Sequence, residues 1–211
     1  MSAKFVLAPH VAVDTLLASD NLEVVVRKNT RPFNGTYFHN ISLRYTHENK
    51  RYQTNQIKFG VCEKIEKIYE PRDGQTTRLK VTFIDNNTDI MAVFAKLTEM
   101  WKNKNAIVDD KEYTQSYQSE TDDYNECVTL KLEQGNFSDK HPDKDLRGKA
   151  KCVINQGETD IELIKGITQL NENENIAITS IMVDISTMTV STKYVAWLWS
   201  ARVIEIDGDA N

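Results

Sequence analysis

The chain reads as a mainly β protein, a small β-barrel with one inserted helix and long loops. Three observations carry that reading. Apolar residues recur with a period of two over most of the 211 residues. Turn-forming residues punctuate those runs at short intervals, and a single stretch shows helical spacing instead. The length and 40% apolar content fit one domain, residues 1–211, with a real hydrophobic core.

Leu22-Glu23-Val24-Val25-Val26-Arg27 opens the first strand. Pro32 and Asn34-Gly35 then turn the chain into Tyr37–Tyr45, which alternates. Tyr37, His39, Ile41, Leu43 and Tyr45 fall on one face, with Phe38, Asn40, Ser42 and Arg44 on the other. Strict alternation requires one of Tyr37 and Phe38 to point inward. His47-Glu48-Asn49-Lys50 closes the strand. The runs 61–69 and 77–84 flank Pro71-Arg72-Asp73-Gly74. That is a hairpin signal, because Pro presets φ and Gly accepts the left-handed position.

Asp85-Asn86-Asn87-Thr88-Asp89 supplies helix-capping residues, after which Ile90, Phe94, Leu97 and Trp101 recur at helical spacing with Met91 alongside. Lys102 and Lys104 suit the negative end of that helix. Residues 108–126 are acidic and aperiodic, and read as a surface excursion. Strand patterns resume at 127–132, 149–154, 160–164, 176–185 and 194–206. The last is apolar on both faces, which predicts a central strand covered on both sides, with Trp197 and Trp199 in the core. A short acidic end occupies 205–211. Many short strands with one helix match an OB barrel, in which a helix caps one end and a face binds oligonucleotides.

Charge is sorted along the chain. Residues 27–80 hold twelve Lys and Arg against five acids, while 81–126 hold four against ten. The overall net charge of −5 conceals this division. Aromatic residues Phe33, Tyr37, Phe38, Tyr45, Tyr52, Phe59 and Tyr69 are interleaved with the basic stretch. Cations that follow phosphates, beside flat rings that stack on bases, are what a groove for single-stranded nucleic acid requires. On that reading Lys28, Arg31, Arg44, Lys50, Arg51, Lys58, Arg78 and Lys80 line a phosphate track. Tyr37, Phe38, Tyr45 and Tyr52 supply stacking rings. Lys149 and Lys151 belong to a second basic cluster with Lys140, Lys144 and Arg147, next to Phe137 and His141. Asp139, Asp143 and Asp145 weaken its field, so that cluster also fits an ordinary mixed-charge loop.

Other chemistries find little support. The four histidines are scattered, and Cys62, Cys127 and Cys152 show neither metal-ligand nor disulfide-framework spacing. Free, mostly buried thiols are expected. No Gly-x-Ser-x-Gly nucleophile motif or phosphate-cradling glycine loop occurs, and no cofactor is expected. The acids of 108–126 sit in a stretch with no rigid scaffold for a metal. No apolar run approaches the roughly 20 residues that span a bilayer. The expectation is a soluble intracellular protein without membrane partners.

The order of these patterns resembles the single-stranded DNA-binding proteins of large double-stranded DNA viruses and related phage OB-fold proteins. The stretches that carry it are 35–45, then Arg51-Tyr52-Gln53-Thr54-Asn55-Gln56-Ile57-Lys58-Phe59-Gly60-Val61 and Leu79-Lys80-Val81-Thr82-Phe83. The helix at Phe94-Ala95-Lys96-Leu97, the strand Thr129-Leu130-Lys131-Leu132 and the run Trp197-Leu198-Trp199-Ser200-Ala201-Arg202-Val203 complete it, over roughly residues 22–206. The resemblance implies sequence-independent binding of single-stranded DNA in viral replication, recombination or repair. It places the protein in the cytoplasm or nucleus of an infected cell, with replication proteins and a second copy of the chain as further candidate partners. The acidic residues Glu205, Asp207 and Asp209 are fewer than the longer tail common in such proteins. A β-sandwich structural or capsid-associated interaction protein is the alternative that the residues leave open.

Overall fold

The computed structural model describes residues 5–19, 21–59, 64–69, 78–82, 93, 96–97, 99–100, 112–114, 117–118, 127–132, 135–141, 143–156, 159–162, 178–191 and 194–206. In chain order its strands are β1 (Val6–Leu7), β2 (Val11–Ala12), β3 (Glu23–Arg27), β4 (Tyr37–His47), β5 (Lys50–Thr54), β6 (Gln56–Phe59), β7 (Lys64–Tyr69), β8 (Arg78–Thr82), β9 (Glu112–Thr114), β10 (Tyr117–Gln118), β11 (Cys127–Leu132), β12 (Val153–Gln156), β13 (Thr159–Glu162), β14 (Ile178–Val190) and β15 (Tyr194–Ile206). A short helix, α1, spans Val13–Ala18. The fold is mainly β, as the period-two pattern predicts.

The chain separates into two compact units. One comprises Met1–Phe59, Asp85–Ser116 and Asp184–Trp199, and the other Gly60–Ile84, Tyr117–Val183 and Ser200–Asn211.

The first unit is organised around β4. β3 runs antiparallel along one edge, with Val24 opposite Leu43. The other edge is shared in succession: β14 takes Tyr37–Asn40 and β5 takes Leu43–His47. β1 adds to β5 in parallel, β2 to β6, and β9 to the start of β15. Two tight turns bound β4. Asn34 and Gly35 have φ of 49° and 76°, and Glu48 and Asn49 have 47° and 61°. Positive φ at both central residues is the hairpin geometry that matches strand twist. The first turn is closed by reciprocal backbone hydrogen bonds between Phe33 and Thr36, of 2.8 and 2.9 Å.

The core of this unit takes the face of β4 that alternation gives to His39, Ile41, Leu43 and Tyr45. These are buried, together with Val24, Leu16, Ile57 and Trp199. The ring of Trp199 lies 6.5 Å from that of Phe59, as a core role for this residue requires. The expected helix is present at its described positions, Val93, Lys96, Leu97, Glu99 and Met100. Val93 and Leu97, one turn apart, are fully buried. The second helix, α1, was not expected from the sequence. It begins at Ala12 without a side-chain cap and has no basic residue in its last turn. Lys96 supplies that charge: its ammonium donates to the carbonyls of Leu16, Leu17 and Ser19 at 3.4, 3.0 and 3.3 Å.

In the second unit β7, β8 and β11 form an antiparallel ladder, with a register shift between Ile65 and Lys67. The pairing of β7 with β8 agrees with the predicted hairpin, while its Pro71–Gly74 turn lies outside the described residues. β11 and β12 both run parallel to β15, and β12 returns antiparallel as β13. Leu130, Leu132, Ile154, Ile181, Val183 and Ile204 are buried here. So is Cys152, as expected of a cysteine in this chain.

Four expectations need correction. Residues 112–114 and 117–118, placed in an aperiodic excursion, are short strands paired with β15 and β11 respectively. The segment 149–152, assigned to a strand, belongs to a loop that precedes β12. β15 is not covered throughout, since Leu198 is 38% exposed. Tyr37 and Phe38 are both exposed, although Val190 and Thr189 opposite them on β14 are buried.

Candidate nucleic-acid interface

Residues 27–47 contain no acid, and the fold turns much of that stretch toward solvent. Cross-strand partners in a sheet share a face. Arg27 lies opposite Asn40, Val25 opposite Ser42, and Glu23 opposite Arg44, which in turn lies opposite Gln53. Thr46 lies opposite Arg51. One side of β3, β4 and β5 therefore carries Phe38, Arg27, Arg44 and Arg51, over roughly 26 Å of strand. Glu23 is the one acid in these three strands, and it reaches Arg44 at 4.0 Å.

Arg44 is held in place. Its Nε donates to Gln53 Oε1 at 3.1 Å, and its guanidinium carbon lies 4.4 Å from the ring centroid of Phe5. The Arg51 guanidinium carbon lies 4.3 Å from the same ring.

Beyond the end of β3 the chain forms an exposed finger. Lys28 and Arg31 are exposed in the loop, Phe33 at the turn is 69% exposed, and Tyr37 and Phe38 begin the return strand. The finger is anchored by His39, whose buried ring accepts the backbone N–H of Asn29 on Nδ1 at 3.0 Å. The finger thus presents two cations and three rings on a short, pinned loop.

The other expected residues divide by face and by unit. Tyr45 is buried, and its ring stacks on that of half-buried Tyr52 at 5.3 Å with 21° between planes. Burial, and then the neighbouring Tyr52, push the Tyr45 phenol above its ordinary value of 10.0. These two rings lie on the inward side of β4 and β5, opposite the arginines, and Tyr45 offers no open face for a base. Lys50 is exposed beside the second turn, and Lys58 is half-buried on β6. Arg78, exposed, and Lys80 lie on β8 of the second unit; the side chain of Lys80 is outside the described residues.

Lys149 and Lys151 lie in the second unit, in the loop 135–151. Backbone hydrogen bonds Phe137 N to Lys149 O, Gly148 N to Phe137 O and Lys151 N to Gly135 O close that loop at 2.9–3.0 Å. Phe137 packs edge-on against His141 at 4.9 Å, and Arg202 lies over its ring at 5.3 Å. Lys140, Lys144, Arg147 and Lys149 remain exposed on this built loop.

Arg27 and Phe33 are named from sequence in the basic, aromatic stretch without a binding role, and Phe5 is passed over. The position of Phe33 beside Asn34-Gly35, at a hairpin tip where no core can reach, was a usable signal. Nothing in the pattern shows that Phe5 returns to the arginines.

No helix among the described residues is long and apolar enough to cross a membrane. No family model matches the chain, and no curated protein matches it either.

Proposed function

We propose that the chain is a sequence-independent single-stranded DNA-binding protein without catalytic activity, acting in viral DNA replication, recombination or repair inside the infected cell. The observation that carries this reading is the outward face of β3–β5 continued by the finger. Arg27, Lys28, Arg31, Arg44 and Arg51 meet phosphates there, Phe33 and Phe38 offer rings to unpaired bases, and exposed Tyr37 offers a ring from the other side of the finger. Affinity comes from counterion release and stacking, and neither depends on base identity. An elaborated OB-fold-like barrel suits the reading, since β4 gives one edge to two strands in succession, as a strand that turns a sheet corner does. Arg78, Lys80, Lys149 and Lys151 of the second unit serve as further phosphate ligands.

Titration of the protein with fluorescently labelled oligothymidylate, and with a duplex of equal length, tests the proposal. Strong preference for the single strand supports it. Equal affinity for both, or binding to neither, removes it and favours the structural alternative.

A further inference from the structure

Phe5 is in an unusual place for an apolar residue. Its ring lies against two guanidinium groups on the solvent side of the sheet, 4.4 Å from Arg44 and 4.3 Å from Arg51. Arg44 is pre-positioned by Gln53 and Glu23. Two oriented guanidiniums over one flat ring recognise planar π systems in general, nucleobases included.

The segment that brings Phe5 there is weakly held. β1 is two residues long and pairs in parallel with β5 through Val6 opposite Tyr52 and Leu7 opposite Gln53. Ala8 N adds one hydrogen bond of 3.0 Å to Gln53 O. Val6 and Leu7 are 51% and 80% exposed, so the strand buries little apolar surface to hold it. Such short, exposed additions open at low free-energy cost.

We infer that the flat faces of the Arg44 and Arg51 guanidiniums form a stacking subsite for one nucleobase, their N–H edges remaining available to phosphates, and that Phe5 fills this subsite in the free protein. A base entering the subsite displaces the ring of Phe5 and releases the β1 segment. The inference rests on the proposed DNA-binding function and adds a specific occupant and a competitor to it.

Two substitutions move the competitor in opposite directions. Phe5→Ala removes the resident ring, and oligothymidylate binding tightens by about threefold to tenfold. Phe5→Trp holds the arginines more strongly, and binding weakens by about twofold to fivefold. Unchanged or weaker binding by Phe5→Ala, with the wild type still preferring single strands, overturns the subsite and leaves the general function standing. Tighter binding by Phe5→Trp overturns it too, since the ring would then stack on DNA as a partner. If neither the wild type nor Phe5→Ala binds oligothymidylate, the functional proposal itself falls and this inference with it.

Discussion

His39 Nδ1 and the backbone N–H of Asn29, 3.0 Å apart, join the buried face of β4 to the root of the exposed finger. The imidazole thereby gives an otherwise solvent-exposed loop a fixed starting point. Replacing His39 with Leu keeps the bulk but hands the exposed Asn29 N–H to water, which costs about 0.5–1.5 kcal/mol. Urea unfolding reads the loss, and amide exchange at Asn29 becomes faster in the variant. Because the finger also loses its anchor, oligothymidylate affinity falls with it.

Lys96 performs a comparable task for α1. Its ammonium meets three carbonyls at the end of a helix that carries no basic residue in its last turn. Lys96→Met retains the apolar stem and removes the donors. A charged hydrogen-bond donor of this kind contributes about 1.5–3 kcal/mol, and thermal unfolding measures the drop.

Tyr45 gives the protein an alkaline weakness. Its phenol is raised above 10.0 in the folded state, by burial first and by Tyr52 second. The folded chain thus keeps a proton that the unfolded chain releases, so stability falls as pH rises above about 10 and proton binding favours the native state. Below that range the contribution is complete. Tyr45→Phe removes the titrating group, and its stability profile above about pH 10 is flatter than that of the wild type in chemical denaturation.

Phe33 separates function from folding. At 69% exposure it contributes little to the core, so Phe33→Ala changes unfolding free energy by less than about 0.5 kcal/mol. The same substitution removes a stacking ring and weakens oligothymidylate binding by about 1–3 kcal/mol. Leu43→Ala shows the reverse pattern: truncating the fully buried side chain costs about 2–5 kcal/mol of stability.

The parts of the fold that were legible in the sequence are those governed by local pattern. Alternation grouped Ile41, Leu43 and Tyr45 on one face, which the structure buries, and the Asn34-Gly35 and Glu48-Asn49 turns adopt positive φ where turn residues were read. Leu97 was found by helical spacing. Non-local pairing was not legible: β11 and β12 join β15 in parallel, across long stretches of sequence that carry no register signal. α1 escaped notice because its six residues are too few to display a period, and its cap comes from Lys96, far along the chain.

The candidate interface divides in the same way. Composition identified the basic, aromatic region, and alternation placed Arg44 on the side opposite Tyr45. The stacking role assigned to Tyr45 did not allow for its ring packing against Tyr52 in the interior. Arg27 received no binding role because its partnership with Asn40 on the outward face depends on the β3–β4 register. The approach of Phe5 to the arginines depends on the parallel addition of β1 to β5, which no local feature announces.

The most direct test of DNA binding by this face is the salt dependence of oligothymidylate affinity, compared between the wild type and an Arg27→Ala, Arg44→Ala, Arg51→Ala triple variant whose folding is verified by urea unfolding. Each phosphate of a single strand that is no longer neutralised lowers the slope of log affinity against log salt by about 0.7, so the triple variant should be shallower by about 2. A slope equal to that of the wild type would contradict the claim that the outward face of β3–β5 receives the DNA backbone.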